Sequence, residues 1–209
     1  MFDAFLPVPL SLQQYLLRTV AALFIVGVHG FALAAWARVL GDKGVGWDER
    51  LTLNPLAQMD LIGLVTIIFY RQGFLKYMRI DHRELRGGRL GLVFCVLAAV
   101  ASTIAVGLLA QLLKPLVATL IGGNAGLTIQ AFLSTFGRLS IWFGLVNLLP
   151  LPPFTGGHLL TAAVPAAGRR LAELQVPMII VAALIIISGA GTWLFQAAYR
   201  FIASFGIGL

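Results

Sequence analysis

Four long apolar stretches constrain the fold of this chain more than any other feature of its sequence. They cover residues 15–40, 90–113, 127–149 and 176–199. A helix of about 20 apolar residues crosses the hydrocarbon core of a bilayer, which is about 30 Å thick. Of the 209 residues, 59% are hydrophobic and 11% are charged, whereas about a quarter of the residues in a soluble domain are charged. The sequence therefore predicts an all-α, polytopic integral membrane protein with four full spans, forming a single membrane domain over residues 1–209.

A fifth apolar segment is too short to cross the membrane as a straight helix. Leu61–Tyr70 has 10 residues, or about 15 Å of helix. It follows a stretch that is interrupted by Asn54, Pro55 and Asp60. We predict that residues 53–70 form a re-entrant or short fifth segment, whose irregular backbone must be covered by protein or line a water-filled cavity. The alternative is a full span, which places the N-terminus in the cytoplasm.

The uneven distribution of Lys and Arg predicts the orientation. Nine of the 15 lie between residues 38 and 89, and Arg169 and Arg170 precede the last span. Cytoplasmic loops of membrane proteins are enriched in Lys and Arg. We therefore expect a basic cytoplasmic linker over residues 71–89, both termini away from the cytoplasm, and a location in a bacterial inner membrane. The basic stretch Arg71–Arg89 also predicts contact with anionic lipid headgroups.

Composition argues against several other classes of protein. The single cysteine, Cys95, lies in an apolar stretch, which excludes a disulfide framework and a cysteine-based metal site. The net charge of +7 is explained by membrane topology. No basic segment is interleaved with aromatic residues on a soluble face, as a nucleic-acid-binding surface would be. We expect no nucleic-acid partner. The segment with Phe2, Phe5 and Leu6 is expected to lie along the outer membrane interface.

Three segments place polar, Gly and Pro residues within otherwise apolar helices. They are Gly27–Ala37 (GVHGFALAAWA), Leu51–Gly63 (LTLNPLAQMDLIG) and Asn147–Leu160 (NLLPLPPFTGGHLL). Their order and spacing resemble the motifs of the site-2 protease family, the intramembrane zinc metalloproteases. In that family the segments read His-Glu-x-x-His, close to Leu-Asn-Pro-x-x-His-x-Asp-x-x-Gly, and Asn-x-x-Pro-x-x-Pro-Leu-Asp-Gly-Gly. The resemblance implies a membrane scaffold that receives a transmembrane helix and unwinds it beside the zinc.

Most residues that the resemblance assigns to zinc binding and catalysis are replaced in this chain. In the family, two histidines one helical turn apart and an aspartate bind zinc, and a glutamate activates water. His29 keeps the first histidine position, whereas Gly30 stands at the glutamate and Leu33 at the second histidine. Thr155 stands at the aspartate, and Gln58 where the second segment commonly has histidine. A catalytic zinc needs three protein ligands, so we expect no catalytic residue, no metal and no other cofactor, with His29 vestigial and bonded to a backbone or hydroxyl group.

Two interpretations of this pattern remain open. The first is a catalytically inactive homologue, a pseudoprotease, that acts as a membrane-embedded binding, assembly or regulatory protein for transmembrane helices or a membrane complex. The alternative is an active intramembrane zinc metallopeptidase with a rearranged ligand set of His29, His158 and Asp60. A transporter is a third class, but the sequence has no inverted repeats to support it.

Four polar residues are candidate helix-binding or structural positions. Arg138 lies in the middle of an apolar span, where an ionised side chain usually faces a cavity, a partner charge or another subunit. Asn147 precedes Pro150 and can bind backbone groups that the proline leaves unpaired. Asn54 belongs to the second motif, and Asp60 fits the N-cap of the helix that follows. We expect a transmembrane protein or complex as the partner.

Overall fold

The computed structural model describes residues 10–44 and 50–205 and is helical. The prediction for Phe2, Phe5 and Leu6 lies outside these residues. The helices are α1 (Leu12–Leu40), α2 (Pro55–Gln58), α3 (Leu61–Tyr70), α4 (Gly88–Leu112), α5 (Lys114–Leu120), α6 (Gly123–Val146), α7 (Gly157–Ala163), α8 (Pro165–Glu173), α9 (Gln175–Ile187) and α10 (Ala190–Ala203). No strand occurs in the described ranges, where Met59 and Leu75 form an isolated antiparallel bridge. The predicted all-α fold class is confirmed.

Local sequence explains where α1 begins and ends. Ser11 and Gln14 form a capping box, in which the Ser11 hydroxyl accepts from the Gln14 N–H at 3.3 Å and the Gln14 amide accepts from the Ser11 N–H at 3.1 Å, so two otherwise unpaired donors are satisfied. Gly41 ends the helix with φ 116°, a conformation that glycine adopts readily. The 29 residues of α1 correspond to about 43 Å, more than the hydrocarbon core requires.

Helices α1, α4 and α6 pack on one another at the centre of the bundle. Each is apolar and long enough to cross a membrane, with α4 and α5 together covering Gly88–Leu120. Small residues allow α4 and α6 to approach closely. A Cβ on Gly107 would lie 2.5 Å from the Ser140 Cβ, and one on Gly144 would lie 2.8 Å from Ile104. Such small residues are what membrane helices use to pack without a hydrophobic driving force.

The fifth segment is a re-entrant hairpin, which we define as residues 53–80. Helix α3 rises along α1 and ends at Arg71, which has φ 63°. The chain then returns in extended conformation along α3, and the Lys76 N–H donates to the Gln58 carbonyl at 3.0 Å. Because the return segment comes back to the level of Gln58, the hairpin enters and leaves the bundle at the same end. The predicted short fifth segment is confirmed.

The hairpin lies along α1 from Arg18 to Gly30. At its tip, the Arg18 guanidinium donates to the Ile68 carbonyl at 3.1 Å. At its base, Gly30 of α1 faces the Gln58 side chain, and a Cβ at position 30 would lie 2.5 Å from the Gln58 Cδ. The irregular backbone of the hairpin is therefore covered by protein, which is the condition for such a segment at membrane depth.

The structure divides the fourth predicted span into two helices. Helices α9 and α10 meet at an angle of 62°. The break lies at Gly189, which has φ 73°, and the Ser188 hydroxyl accepts from the Ala190 N–H at 3.4 Å. A left-handed glycine ends a helix, so the chain bends where the apolar pattern alone predicts continuity. Helix α9 packs on α3 and α10 packs on α6.

A tight turn after α6 brings the third motif back to the end of that helix. The Gly156 N–H donates to the Asn147 carbonyl at 2.6 Å. A Cβ on Gly156 would overlap the carbonyl groups of Leu148 and Leu149, so this close approach requires glycine. The Pro152–Pro153 peptide bond in the turn is cis. The turn places Thr155 beside Asn147, inside the bundle.

Candidate functional site

A fully buried histidine occupies the centre of the candidate site. His29 lies on α1 and is 0% exposed. Its Nδ1 atom lies 2.7 Å from the Thr103 hydroxyl of α4, and its Nε2 atom lies 2.8 Å from the Thr155 hydroxyl. The Phe143 ring packs edge-on against the imidazole at 5.2 Å between centroids. Both partners are hydroxyl groups, the kind of partner that the sequence predicts.

The hydrogen-bond directions follow from the hydroxyl groups. Thr103 donates its proton to the Ala99 carbonyl at 2.9 Å, so its oxygen accepts from the Nδ1–H of His29. The neutral imidazole then has an acceptor at Nε2. The Thr155 hydroxyl lies 2.8 Å from this atom and 3.4 Å from the Asn147 side-chain oxygen, so we assign its proton to Nε2, the nearer acceptor. This arrangement occupies both ring nitrogens of His29 and leaves no imidazole lone pair free.

Asn147 extends this cluster into a network that joins three elements. Its amide donates to the Gly73 carbonyl at 3.0 Å and to the Phe143 carbonyl at 2.9 Å. Its side-chain oxygen accepts from the Thr155 N–H at 3.2 Å. Asn147 is 0% exposed, and a buried polar network of this kind fixes the relative positions of the elements that contribute to it. Here it connects α6, the turn and the return segment of the hairpin.

The positions of the missing base and second histidine are filled by other side chains. Gln58 is 1% exposed and donates to the Arg50 carbonyl at 2.7 Å. Its side chain occupies the space in front of Gly30, so a larger residue at position 30 would collide with it. Leu33 is 3% exposed and belongs to an apolar core cluster with Cys95. Gln58 and Leu33 are therefore both packed within the bundle at these two positions.

The residues at this site do not fit a zinc ion. Zinc in proteins is bound by Cys, His, Asp or Glu, whereas the hydrogen-bond partners of His29 are two threonine hydroxyl groups. Among the described residues, no group of three His, Cys, Asp or Glu side chains could hold a metal. The rearranged ligand set is not assembled there either. Asp60 caps α3 by accepting from the Gly63 N–H at 3.0 Å, and His158 is engaged elsewhere.

His158 lies in α7, outside the spanning helices, and faces the linker. Its ring stacks on Tyr77 at 4.9 Å between centroids, and the Tyr77 hydroxyl lies 3.4 Å from its Nδ1. Burial lowers the pKa of His158 to about 4, and a hydrogen bond with the Met78 backbone has a smaller, opposite effect on this pKa. Burial also raises the pKa of Tyr77. His158 is therefore neutral at pH 7.

The remaining candidate residues lie at separate places. Asn54 is exposed and caps α2 by accepting from the Leu56 N–H at 3.0 Å. Arg138 is exposed on α6, donates to the Ser134 hydroxyl at 3.2 Å, and shares a cavity with Arg18 and Arg71. The structure thus brings His29, Thr155 and Asn147 together and keeps the other candidates apart from them.

Sequence reasoning missed Thr103 as a partner of His29. Thr103 stands in the apolar run LAAVAST, Leu97–Thr103, on the helix after the linker. The sequence feature that could have indicated this role is a single threonine on a helix that also carries small residues. Arg18 was missed as well, because its relation to Arg71 and Arg138 depends on how the helices pack.

Apolar spans around a re-entrant hairpin and a buried polar site define a polytopic protein of the intramembrane-protease type. The profile of Peptidase family M50 matches residues 20–189. The chain belongs to this family, the site-2 proteases, and the predicted resemblance is confirmed. It is similar to "Putative zinc metalloprotease YwhC" of Bacillus subtilis (strain 168), with 31% identity over 172 residues that cover 80% of this chain and 77% of that protein. No solved structure matches the chain.

Proposed function

We propose that this integral membrane protein is a catalytically inactive M50 homologue, a pseudoprotease, that binds other transmembrane polypeptides in an assembly or regulatory role. The observation that supports this proposal is the engagement of both His29 nitrogens by Thr103 and Thr155. A neutral hydrogen-bond network stands where the family has its zinc ligands.

Two separate losses remove the hydrolytic chemistry. Zinc polarises the scissile carbonyl and lowers the pKa of its bound water, and a carboxylate base takes the proton of that water. Leu33 and Thr155 replace two ligands, and Gly30 replaces the base. Gln58 packs against Gly30, so restoring the base alone would create a steric conflict.

The scaffold around the former zinc site is retained, and this favours a binding role. The return segment of the hairpin is held by Asn147 at Gly73, and Lys76 beyond it is exposed. A cavity of 80 Å³ beside this segment is lined by Asp60, Lys76 and Pro153, among others. We place the partner polypeptide along this side of the hairpin. A bacterial inner membrane, with both termini away from the cytoplasm, is part of the same proposal.

Zinc content and proteolysis test the loss of activity. Protein purified in mild detergent is analysed for metal by mass spectrometry and assayed against a model transmembrane substrate. We expect no stoichiometric zinc and no zinc-dependent cleavage. The variant Leu33→His/Thr155→Asp, which rebuilds the ligand set, is the reference for metal loading. Stoichiometric zinc in the wild type that is lost in His29→Ala, or zinc-dependent cleavage, would overturn the proposal.

Site-specific photo-crosslinking in cells tests the binding role. A photoreactive residue at Lys76 is expected to capture a membrane polypeptide, whereas the same residue at exposed Leu120 on α5 is the matched control. Equal capture at both positions, or none at Lys76, contradicts the proposed binding side.

A further inference from the structure

We infer that a cavity lined by Arg18, Arg71 and Arg138 binds the headgroup phosphate of an anionic phospholipid. The cavity has a volume of 500 Å³ and lies where α1, the hairpin tip, α6 and α10 meet. It is separate from the His29 network, and the inference does not depend on the proposed loss of proteolysis.

Three guanidinium groups from distant parts of the sequence converge on this cavity. Arg18 comes from α1, Arg71 from the tip of the hairpin and Arg138 from α6. Of the described residues that line the cavity, none is Asp or Glu. Within the described part of the chain, none of these arginines lies within 4.0 Å of a carboxylate. Like charges repel at short range, and an oxyanion between them replaces repulsion with attraction.

The depth of Arg18 along α1 matches the membrane interface. Arg18 is the seventh residue of α1, so it lies about 9 Å from the start of a helix about 43 Å long. A helix of that length, centred on a hydrocarbon core of about 30 Å, places the Arg18 Cα within about 3 Å of the hydrocarbon boundary. Lipid phosphates lie just beyond this boundary, within reach of an arginine side chain.

Arg71 occupies a position where glycine is the usual residue. It ends α3 with φ 63°, the left-handed conformation that glycine adopts without steric cost. Its side chain is exposed and lines the cavity. A non-glycine residue held in this conformation points to a role for its side chain. Binding of an anion at the hairpin tip is such a role.

The other lining residues suit a lipid headgroup better than the helix of a protein partner. Trp142 and Tyr199 stack at 4.3 Å between centroids, and aromatic residues of this kind are enriched at the membrane interface. Gln14, Ser134 and Thr135 add polar groups for a hydrated headgroup. Arg138 and Arg71 are exposed, so the cavity is accessible from the surface of the bundle. Arginine binds phosphate oxygens through paired N–H donors.

Native mass spectrometry of the full chain in detergent tests this inference. Phosphatidylglycerol and phosphatidylcholine are added separately, and lipid retention is measured together with the shift in unfolding temperature. We expect one phosphatidylglycerol to be retained and to stabilise the protein, with no comparable effect of phosphatidylcholine. Arg138→Gln and Arg71→Gly should each lower retention about fivefold or more, the change expected for one basic residue facing anionic lipid.

Two control variants accompany the two test variants. Arg138→Lys keeps the charge and should retain most of the binding, and Arg200→Gln removes an exposed charge from α10 that does not line the cavity. Arg71→Gly removes the conformational cost of an arginine in the left-handed region, so we expect this variant to lose lipid binding and to remain folded. Equal retention of both lipids, or wild-type retention in Arg138→Gln and Arg71→Gly, overturns the inference. If inorganic phosphate alone stabilises the protein as much as phosphatidylglycerol does, the cavity binds a soluble oxyanion and the inference is wrong. If Arg138→Gln loses a co-purifying protein but retains lipid, the cavity binds a protein carboxylate and the inference is also wrong.

Discussion

At the scale of single residues, the sequence predicts which kind of partner a buried polar side chain needs more readily than it predicts which residue supplies that partner. A lone buried histidine among apolar residues must find a polar partner, and His29 finds two hydroxyl groups. Their identity could not be predicted, because Thr103 lies 74 residues and Thr155 lies 126 residues away along the chain. Asp60 could be predicted as an N-cap, because the cap and the helix it begins are adjacent.

Removing the Thr155 hydroxyl should destabilise the fold. Thr155→Val keeps the shape of the side chain but leaves the His29 Nε2 without a donor. A buried unsatisfied polar atom costs about 1–3 kcal/mol, and we expect the free energy of unfolding in detergent to fall by this amount. The control Thr128→Val makes the same change on an exposed face of α6 and should stay within about 0.5 kcal/mol of the wild type. A Thr155→Val protein as stable as the control would show that the network does not stabilise the bundle.

His158 should make stability depend on pH. Its pKa is about 4 in the folded protein and about 6.5 in the unfolded chain, so the unfolded chain binds more protons between these values. The free energy of unfolding therefore falls as pH decreases from about 6.5 to about 4, by up to about 3 kcal/mol. Unfolding curves at a series of pH values, for wild type and His158→Asn, measure this. A slope that is the same in both proteins would refute the assignment to His158.

At the scale of elements, short-range signals predicted the type of each segment, whereas bends and tips depended on backbone conformation. The polar stretch before Leu61–Tyr70 predicted a segment that does not span. The left-handed Arg71 at its tip could not be predicted, since arginine rarely adopts this conformation. The break at Gly189 was missed for a related reason, because glycines such as Gly189 and Gly191 in an apolar run are compatible with a continuous membrane helix.

Arg71→Gly should stabilise the hairpin. The left-handed conformation costs a non-glycine residue about 1 kcal/mol, and glycine removes most of this cost. We expect the free energy of unfolding to rise by up to about 1 kcal/mol in the absence of anionic lipid, measured by thermal unfolding in detergent. Arg71→Ala keeps the conformational cost and serves as the comparison. A glycine variant less stable than the alanine variant would contradict the described tip conformation.

At the scale of the whole molecule, the three motifs predicted the family because they mark positions where the backbone is unusual. Asn147 forms a buried hydrogen bond and Gly156 a close backbone contact that the scaffold requires, so both match the family motif although most of the zinc ligands do not. The arginine cavity could not be predicted, since its three residues are brought together only when the hairpin tip packs beside α1 and α6.

The orientation of the whole molecule can be measured by cysteine labelling. The native Cys95 is 0% exposed, so its background reactivity should be low. We expect Arg83→Cys in the linker to react with a membrane-impermeant reagent only from the cytoplasmic side. Asn124→Cys, at the start of α6, should react only from the opposite side. Reaction of both from the same side would exclude the predicted topology.

The bond between Asn147 and Gly73 sets an order for biogenesis. The hairpin emerges from the ribosome before α6, yet the amide that holds its return segment is part of a residue made 74 positions later. Until then the Gly73 carbonyl has to be hydrated or sheltered, because exposed backbone is not tolerated in lipid. We therefore expect the hairpin to reach its final position only after α6 has entered the membrane. A chain truncated before Asn147 should expose the hairpin to quality-control proteases, whereas one truncated after the turn should not.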